Sequence, residues 1–155
     1  MTSVSDSAVA PSRVNGFTRV LVAVYGILAL AATGRSFYQI ATKFEEAPLA
    51  YSLSAVAAVV YILATVALVA PGRGWFRVAW LAIGFEMVGV VAVGIVSIAI
   101  PELFPADTVW SQFGRGYGFV PLVLPILGLW ALSRTARASR RSDARDAAES
   151  AEVSS

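Results

Sequence analysis

Four long apolar runs, separated by short polar stretches, dominate the chain. They cover residues 17–40, 48–70, 76–100 and 117–133. A helix needs about 20 mainly apolar residues to cross the ~30 Å hydrocarbon layer of a membrane. Within lipid, backbone must satisfy its hydrogen bonds internally, which helices do. The pattern therefore predicts an all-α, integral membrane four-helix bundle, with residues 17–133 forming one four-span transmembrane domain.

Polar sequence flanks the apolar runs at both ends. Residues 1–16 are small, polar and proline-containing, and we expect a disordered cytoplasmic tail. Residues 134–155 are first basic and then acidic. They form a second cytoplasmic tail, whose start can extend the fourth helix into water and whose end we expect to be disordered. An alternative is a cleaved signal peptide, because "ALA" at 29–31 resembles a cleavage site. The apolar run continues to Ile40, which favours a retained first span.

The amino-acid composition excludes several kinds of catalytic and metal-binding site. Charged residues make up 14% of the chain, whereas soluble domains average about 25%. The sequence contains neither Cys nor His. Disulfides, thiol chemistry, His-ligated haem and Cys/His zinc sites are therefore excluded. We expect no metal, no cofactor, no nucleic-acid partner and no enzymatic activity.

Basic residues are distributed unequally between the two sides of the membrane. If the N-terminus is inside, nine of the 12 Lys and Arg residues lie inside and three lie outside. The outside three are Arg35, Lys43 and Arg115. Cytoplasmic loops carry the excess of basic residues. The asymmetry predicts that both termini are cytoplasmic, in a multi-pass protein of a bacterial plasma membrane.

Small and polar residues recur at helical spacing along three of the runs. Such residues mark helix contacts in membranes because they allow backbones to approach closely. We therefore expect the three faces to pack against one another. They comprise Tyr25, Ala29, Ala32, Ser36 and Gln39 in the first run, Ser54, Ala58, Tyr61 and Thr65 in the second, and Ala79, Ala82, Glu86, Gly89, Val93 and Ser97 in the third.

Glu86 is the acidic residue inside these runs, and it lies in the middle of the third. Counting from the cytoplasmic ends, Glu86 and Tyr61 lie at similar depth, so the Tyr61 hydroxyl is a candidate hydrogen-bond partner for Glu86. Thr65 and Tyr25 lie about a turn lower. An intramembrane carboxyl is a candidate proton or cation site. The alternative is a neutral acid that hydrogen-bonds neighbouring helices.

Two further stretches carry candidate contacts. The outer segment Glu102–Gly118 is rich in aromatic residues, and we expect it to lie along the membrane interface, with Trp110 at head-group depth. Its alternative role is a lid over a lipid or small-molecule cleft, using Trp110, Arg115 and Tyr117. "GRGYG" within it lacks the flanking elements of a phosphate loop. Beyond the last run, basic residues either set topology or bind anionic lipid head groups; they include Arg137, Arg140 and Arg141.

Two long stretches resemble segments of a known family. They are "TKFEEAPLAYSLSAVAAVVYILATVAL" and "PELFPADTVWSQFGRGYGFVPLVLPILGLW". Over roughly Gly16 to Leu132, the chain resembles uncharacterised small four-span integral membrane proteins of actinobacteria. The resemblance implies the membrane architecture and no assigned activity. Small multidrug exporters are a poorer fit, because their membrane glutamate lies in the first helix.

Three hypotheses for function remain open at this point. The first is a non-enzymatic accessory or scaffold subunit, with the lipid bilayer and either a membrane protein or a second copy as partners. The second is a small transporter or proton-coupled carrier that uses Glu86. The third is a lipid-directed enzyme with carboxylates and an arginine at the outer face. Its candidate residues are Glu45, Glu46, Glu102, Asp107 and Arg115.

Overall fold

A computed structural model describes residues 16–153 of the chain. Within this range the structure consists of four α-helices joined by turns and short 3-10 helices. The predicted N-terminal tail lies almost entirely outside the described residues. The helices are α1, Gly16–Lys43; α2, Pro48–Val69; α3, Arg73–Ala99; and α4, Val120–Val153.

The all-α bundle expected from the sequence is confirmed. Among the described residues, three helices are long and apolar enough to cross a membrane, and they correspond to α1, α2 and α3. The fourth predicted span corresponds to a bent pair of helices. It passes the same test only when α4 is joined to the preceding 3-10 helix Ser111–Tyr117, across a bend of 100°.

The fourth helix differs from the predicted span at both ends. It begins at Val120, three residues after the expected start, because Gly118 and Phe119 both have a φ of 61° and break the helix. Pro121 then lies in the first turn, where a missing N–H costs no intrahelical bond. The helix continues to Val153. The described part of the C-terminal tail is therefore helical and not disordered, because its many Ala and Arg residues are strong helix formers.

The inner faces of the bundle are built from the small and polar residues that the spacing singled out. Tyr25, Ala32, Ser54, Tyr61 and Glu86 are all buried. The outward faces instead expose large apolar side chains, and Leu30 is 78% exposed. Exposed apolar surface of this extent is typical of protein that contacts lipid.

The segment between α3 and α4, residues 101–119, folds inward over one end of the bundle; we call it the α3–α4 segment. Val109 is fully buried and Trp110 is 2% exposed. Left-handed backbone at Gln112, Phe113 and Gly114 turns the chain sharply within it. The segment thus adds a layer of core at that end of the helices, which the prediction of an interfacial belt did not include.

Candidate functional site

Glu86 lies fully buried in the interior of the bundle, and its nearest polar partner comes from α1. The Tyr25 hydroxyl donates a hydrogen bond of 2.7 Å to Oε2 of Glu86. The other carboxyl oxygen, Oε1, has no hydrogen-bond partner among the described residues. The Glu86–Tyr25 bond joins two helices that are not consecutive in sequence, so it ties the bundle across its interior.

All four helices contribute to the environment of this bond. The rings of Tyr25 and Tyr61 pack with their centroids 6.2 Å apart. From α4, Gly128 approaches so closely that a Cβ there would lie 3.5 Å from the Tyr25 hydroxyl and 3.1 Å from the Ile83 side chain. The glycine lets the helices approach closely here, because a Cβ would require the Ile83 side chain to shift.

Among the described residues, Glu86 is not hydrogen-bonded to Tyr61, its candidate partner. The Tyr61 hydroxyl instead accepts a hydrogen bond of 3.1 Å from the indole Nε1–H of Trp110. Trp110 was expected at head-group depth, and the structure buries its ring within the bundle. Its indole reaches into the bundle because its N–H finds a buried acceptor there, which an indole needs when it leaves water.

A hydrogen-bonded turn fixes the direction of Trp110. Thr108 Oγ1 accepts bonds from the backbone N–H groups of Trp110 and Ser111, at 3.0 and 2.9 Å. In return, Ser111 Oγ accepts a bond of 2.9 Å from the Thr108 N–H. Such reciprocal side-chain bonds satisfy the backbone where no helix does so. The buried turn therefore holds Trp110 against the helices while the N–H groups of Thr108, Trp110 and Ser111 are hydrogen-bonded.

Glycines of α3 make room for aromatic rings of the α3–α4 segment. A Cβ at Gly89 would lie 2.8 Å from the Trp110 ring, and one at Gly94 would lie 2.6 Å from the Phe113 ring. Ser97 adds a polar contact, since its Oγ accepts a bond of 2.8 Å from the Gln112 N–H. The small residues at these positions thus admit the segment, whereas the sequence predicted contact with another helix.

Other predicted site residues lie apart from the Glu86–Tyr25 pair. Thr65 is half-buried and bonds to the Tyr61 carbonyl oxygen of its own helix. Tyr117 is half-buried against the core, and Arg115 is exposed with a bond to Gln112. Arg35 of α1 donates a bond of 2.7 Å to the Asp107 carbonyl oxygen. It thereby links α1 to the α3–α4 segment.

The remaining candidates are dispersed over the surface. Arg137, Arg140 and Arg141 are exposed on the polar half of α4. Glu46 pairs with Lys43 at 3.9 Å. Within residues 16–153, no group of His, Cys, Asp and Glu residues is arranged to hold a metal ion. The other outer-face residues of the lipid-enzyme hypothesis are also exposed, namely Glu45, Glu102, Asp107 and Arg115.

The candidate site consists of two separate buried hydrogen bonds, which link Tyr25 to Glu86 and Trp110 to Tyr61. The first link includes an ionisable group with one unpartnered oxygen, and the second closes the bundle from the end where the α3–α4 segment lies. Comparisons of the chain with protein-family models, curated proteins and solved structures find no match. Inferences about function therefore rest on the geometry of these two hydrogen bonds.

Proposed function

We propose that this multi-pass membrane protein is an accessory or scaffold subunit of a complex in a bacterial plasma membrane. One observation carries the proposal: two buried hydrogen bonds lock four separate segments of the chain together. Tyr25 and Glu86 connect α1 with α3, and Trp110 and Tyr61 connect the α3–α4 segment with α2. A carrier must move one group of helices against another to expose a site to each side in turn. The cross-links favour a bundle of fixed shape instead.

The outer surface supports the same proposal. Large apolar side chains are exposed around the perimeter, including Leu30 on α1 and Ile126 on α4. In a membrane such surfaces contact either lipid tails or partner helices, and van der Waals packing holds a partner helix there. A rigid interior with an extended apolar perimeter is suited to holding a partner helix in place.

Purification from the native membrane tests the scaffold role. With a photoreactive residue at Leu30 or at Ile126, we expect the tagged chain to cross-link one specific membrane protein in roughly equal amount. The same residue at Ser142, in the polar half of α4, is the control and should not capture that protein. Recovery of the chain alone, or cross-linked only to copies of itself, would refute the scaffold role.

A carrier that uses Glu86 is the second candidate. The observation that favours it is the unpartnered Oε1 of Glu86. This oxygen is free to bind a proton or a cation. Such a carrier would form a homodimer, because one small bundle encloses little volume. Proton release on addition of a transported compound, abolished by Glu86→Gln, would support this alternative.

The proposed orientation, with both termini cytoplasmic, can be tested by labelling. The chain has no cysteine, so single-cysteine variants need no other change. We expect Glu102→Cys to react with a membrane-impermeant thiol reagent in intact cells, and Ser142→Cys to react only after permeabilisation. Both positions are exposed. Labelling of Ser142→Cys in intact cells would show that the orientation is reversed.

A further inference from the structure

An apolar groove runs along the outside of the bundle between α2 and α3. Its volume is about 640 Å³, and side chains spaced by three and four residues on both helices line it. Val59 and Leu63 on α2 face Val78, Leu81 and Phe85 on α3. The stretch of α3 from Val78 to Phe85 is roughly 10 Å long. One leaflet of hydrocarbon is about 15 Å thick, so the groove spans much of a single leaflet.

Positive charge lies directly beyond one end of this groove. Arg77 is exposed one helical turn before Leu81, on the same face of α3, and Arg73 lies one turn further. Acidic residues are absent from the first turn of α3 and from the first turn of α1. The structure gives neither arginine an ion pair with a described residue. By contrast, the Arg134 guanidinium stacks 4.1 Å from the Trp130 ring.

We propose that this groove, with Arg77 at its end, binds one anionic phospholipid. The groove holds an acyl chain, because its lining is almost entirely hydrocarbon and its length suits one leaflet. Arg77 binds the phosphate, with Arg73 adding attraction. Basic sites at the ends of transmembrane helices are known to select anionic head groups. The charge next to the groove is the reason for choosing a lipid over a partner helix or a second copy.

Photolabelling in nanodiscs tests the site. The full chain is placed in phosphatidylcholine discs with a trace of phosphatidylglycerol that carries a diazirine on its acyl chain. A second sample contains phosphatidylcholine with the same diazirine. We expect the label from phosphatidylglycerol at Val59, Leu63 and Leu81 to exceed that from phosphatidylcholine about fivefold, the effect of one basic residue near the surface.

Two variants separate the head-group contact from the acyl-chain contact. Arg77→Gln should remove the preference for phosphatidylglycerol while leaving the groove labelled. Val59→Trp should fill the groove and remove labelling at Leu63 and Leu81 by both lipids. Val59 is exposed, so this change should not disturb the core. The controls are Arg145→Gln in the polar half of α4 and Val123→Trp on the exposed face of α4, and both should retain the parent pattern.

Three results would overturn the proposal. The first is equal labelling of the groove by the two lipids in the parent chain. The second is a preference for phosphatidylglycerol that survives Arg77→Gln, which would assign head-group binding to other arginines. The third is a chain-to-chain disulfide through Val59→Cys, which would identify a second copy as the occupant. Circular dichroism and elution volume equal to those of the parent confirm that each variant is folded.

Discussion

Replacement of Trp110 by Ala should destabilise the bundle by about 3 kcal/mol, since removal of a large buried ring leaves a cavity. The Tyr61 hydroxyl would also lose the hydrogen bond that it accepts from the indole N–H. Unfolding in detergent measures the change in free energy. Trp80→Ala is the matched control, because Trp80 is partly exposed on α3 and its loss should cost little. If both variants have equal stability, the Trp110 ring does not hold the α3–α4 segment to the helices.

A glycine substitution tests the same contact from the opposite side. Gly89→Ala should also destabilise, because its Cβ would overlap the Trp110 ring; overpacking of this kind costs about 1–3 kcal/mol. Gly84→Ala is the control on the same helix, where a Cβ meets nothing within 4 Å. The added methyl in Gly89→Ala should become harmless once Trp110→Ala has removed the ring. Additive effects in this double variant would contradict the contact.

The helices could be predicted from the sequence because their signal is local. The length and hydrophobicity of a run decide whether it spans lipid, and α1, α2 and α3 match the predicted runs within three residues at each end. The buried faces followed from helical periodicity, as Tyr25, Ser54 and Glu86 show. The start of α4 could not be located in this way, because the positive φ angles at Gly118 and Phe119 depend on how the preceding segment packs.

The partners within the interior could not be predicted, because depth along a helix does not determine which side chain points at which. Tyr61 and Tyr25 both face inward, and the packing of the bundle decides that Tyr25 donates to Glu86 while Tyr61 accepts a bond from Trp110. Trp110 itself belongs to a segment whose composition suits a membrane interface. The pair Thr108 and Ser111 was the available signal, since hydroxyl residues three positions apart often close a turn.

Glu86→Leu should destabilise the bundle by about 1 kcal/mol, since it leaves the Tyr25 hydroxyl without its acceptor in the membrane interior. Glu86→Gln keeps an oxygen that can accept the same bond, so its stability should stay close to that of the parent. Tyr25→Phe is the control that removes only the donor. Combined with Glu86→Leu, it should cost no more than either change alone. Full additivity would show that the hydrogen bond contributes nothing.

The protonation state of Glu86 distinguishes a helix tie from a charged site. An ionised carboxylate would carry a full charge in the interior with one hydrogen bond to Tyr25 and no ion pair from a described residue, which costs far more than burying the neutral acid. We therefore expect an infrared carbonyl band of a protonated carboxylic acid at neutral pH, absent from Glu86→Gln. The other carboxyl groups with described side chains are exposed. A carboxylate band for Glu86 already present at pH 6, unchanged at higher pH, would mean that a cation or water reaches Oε1 and would favour the carrier.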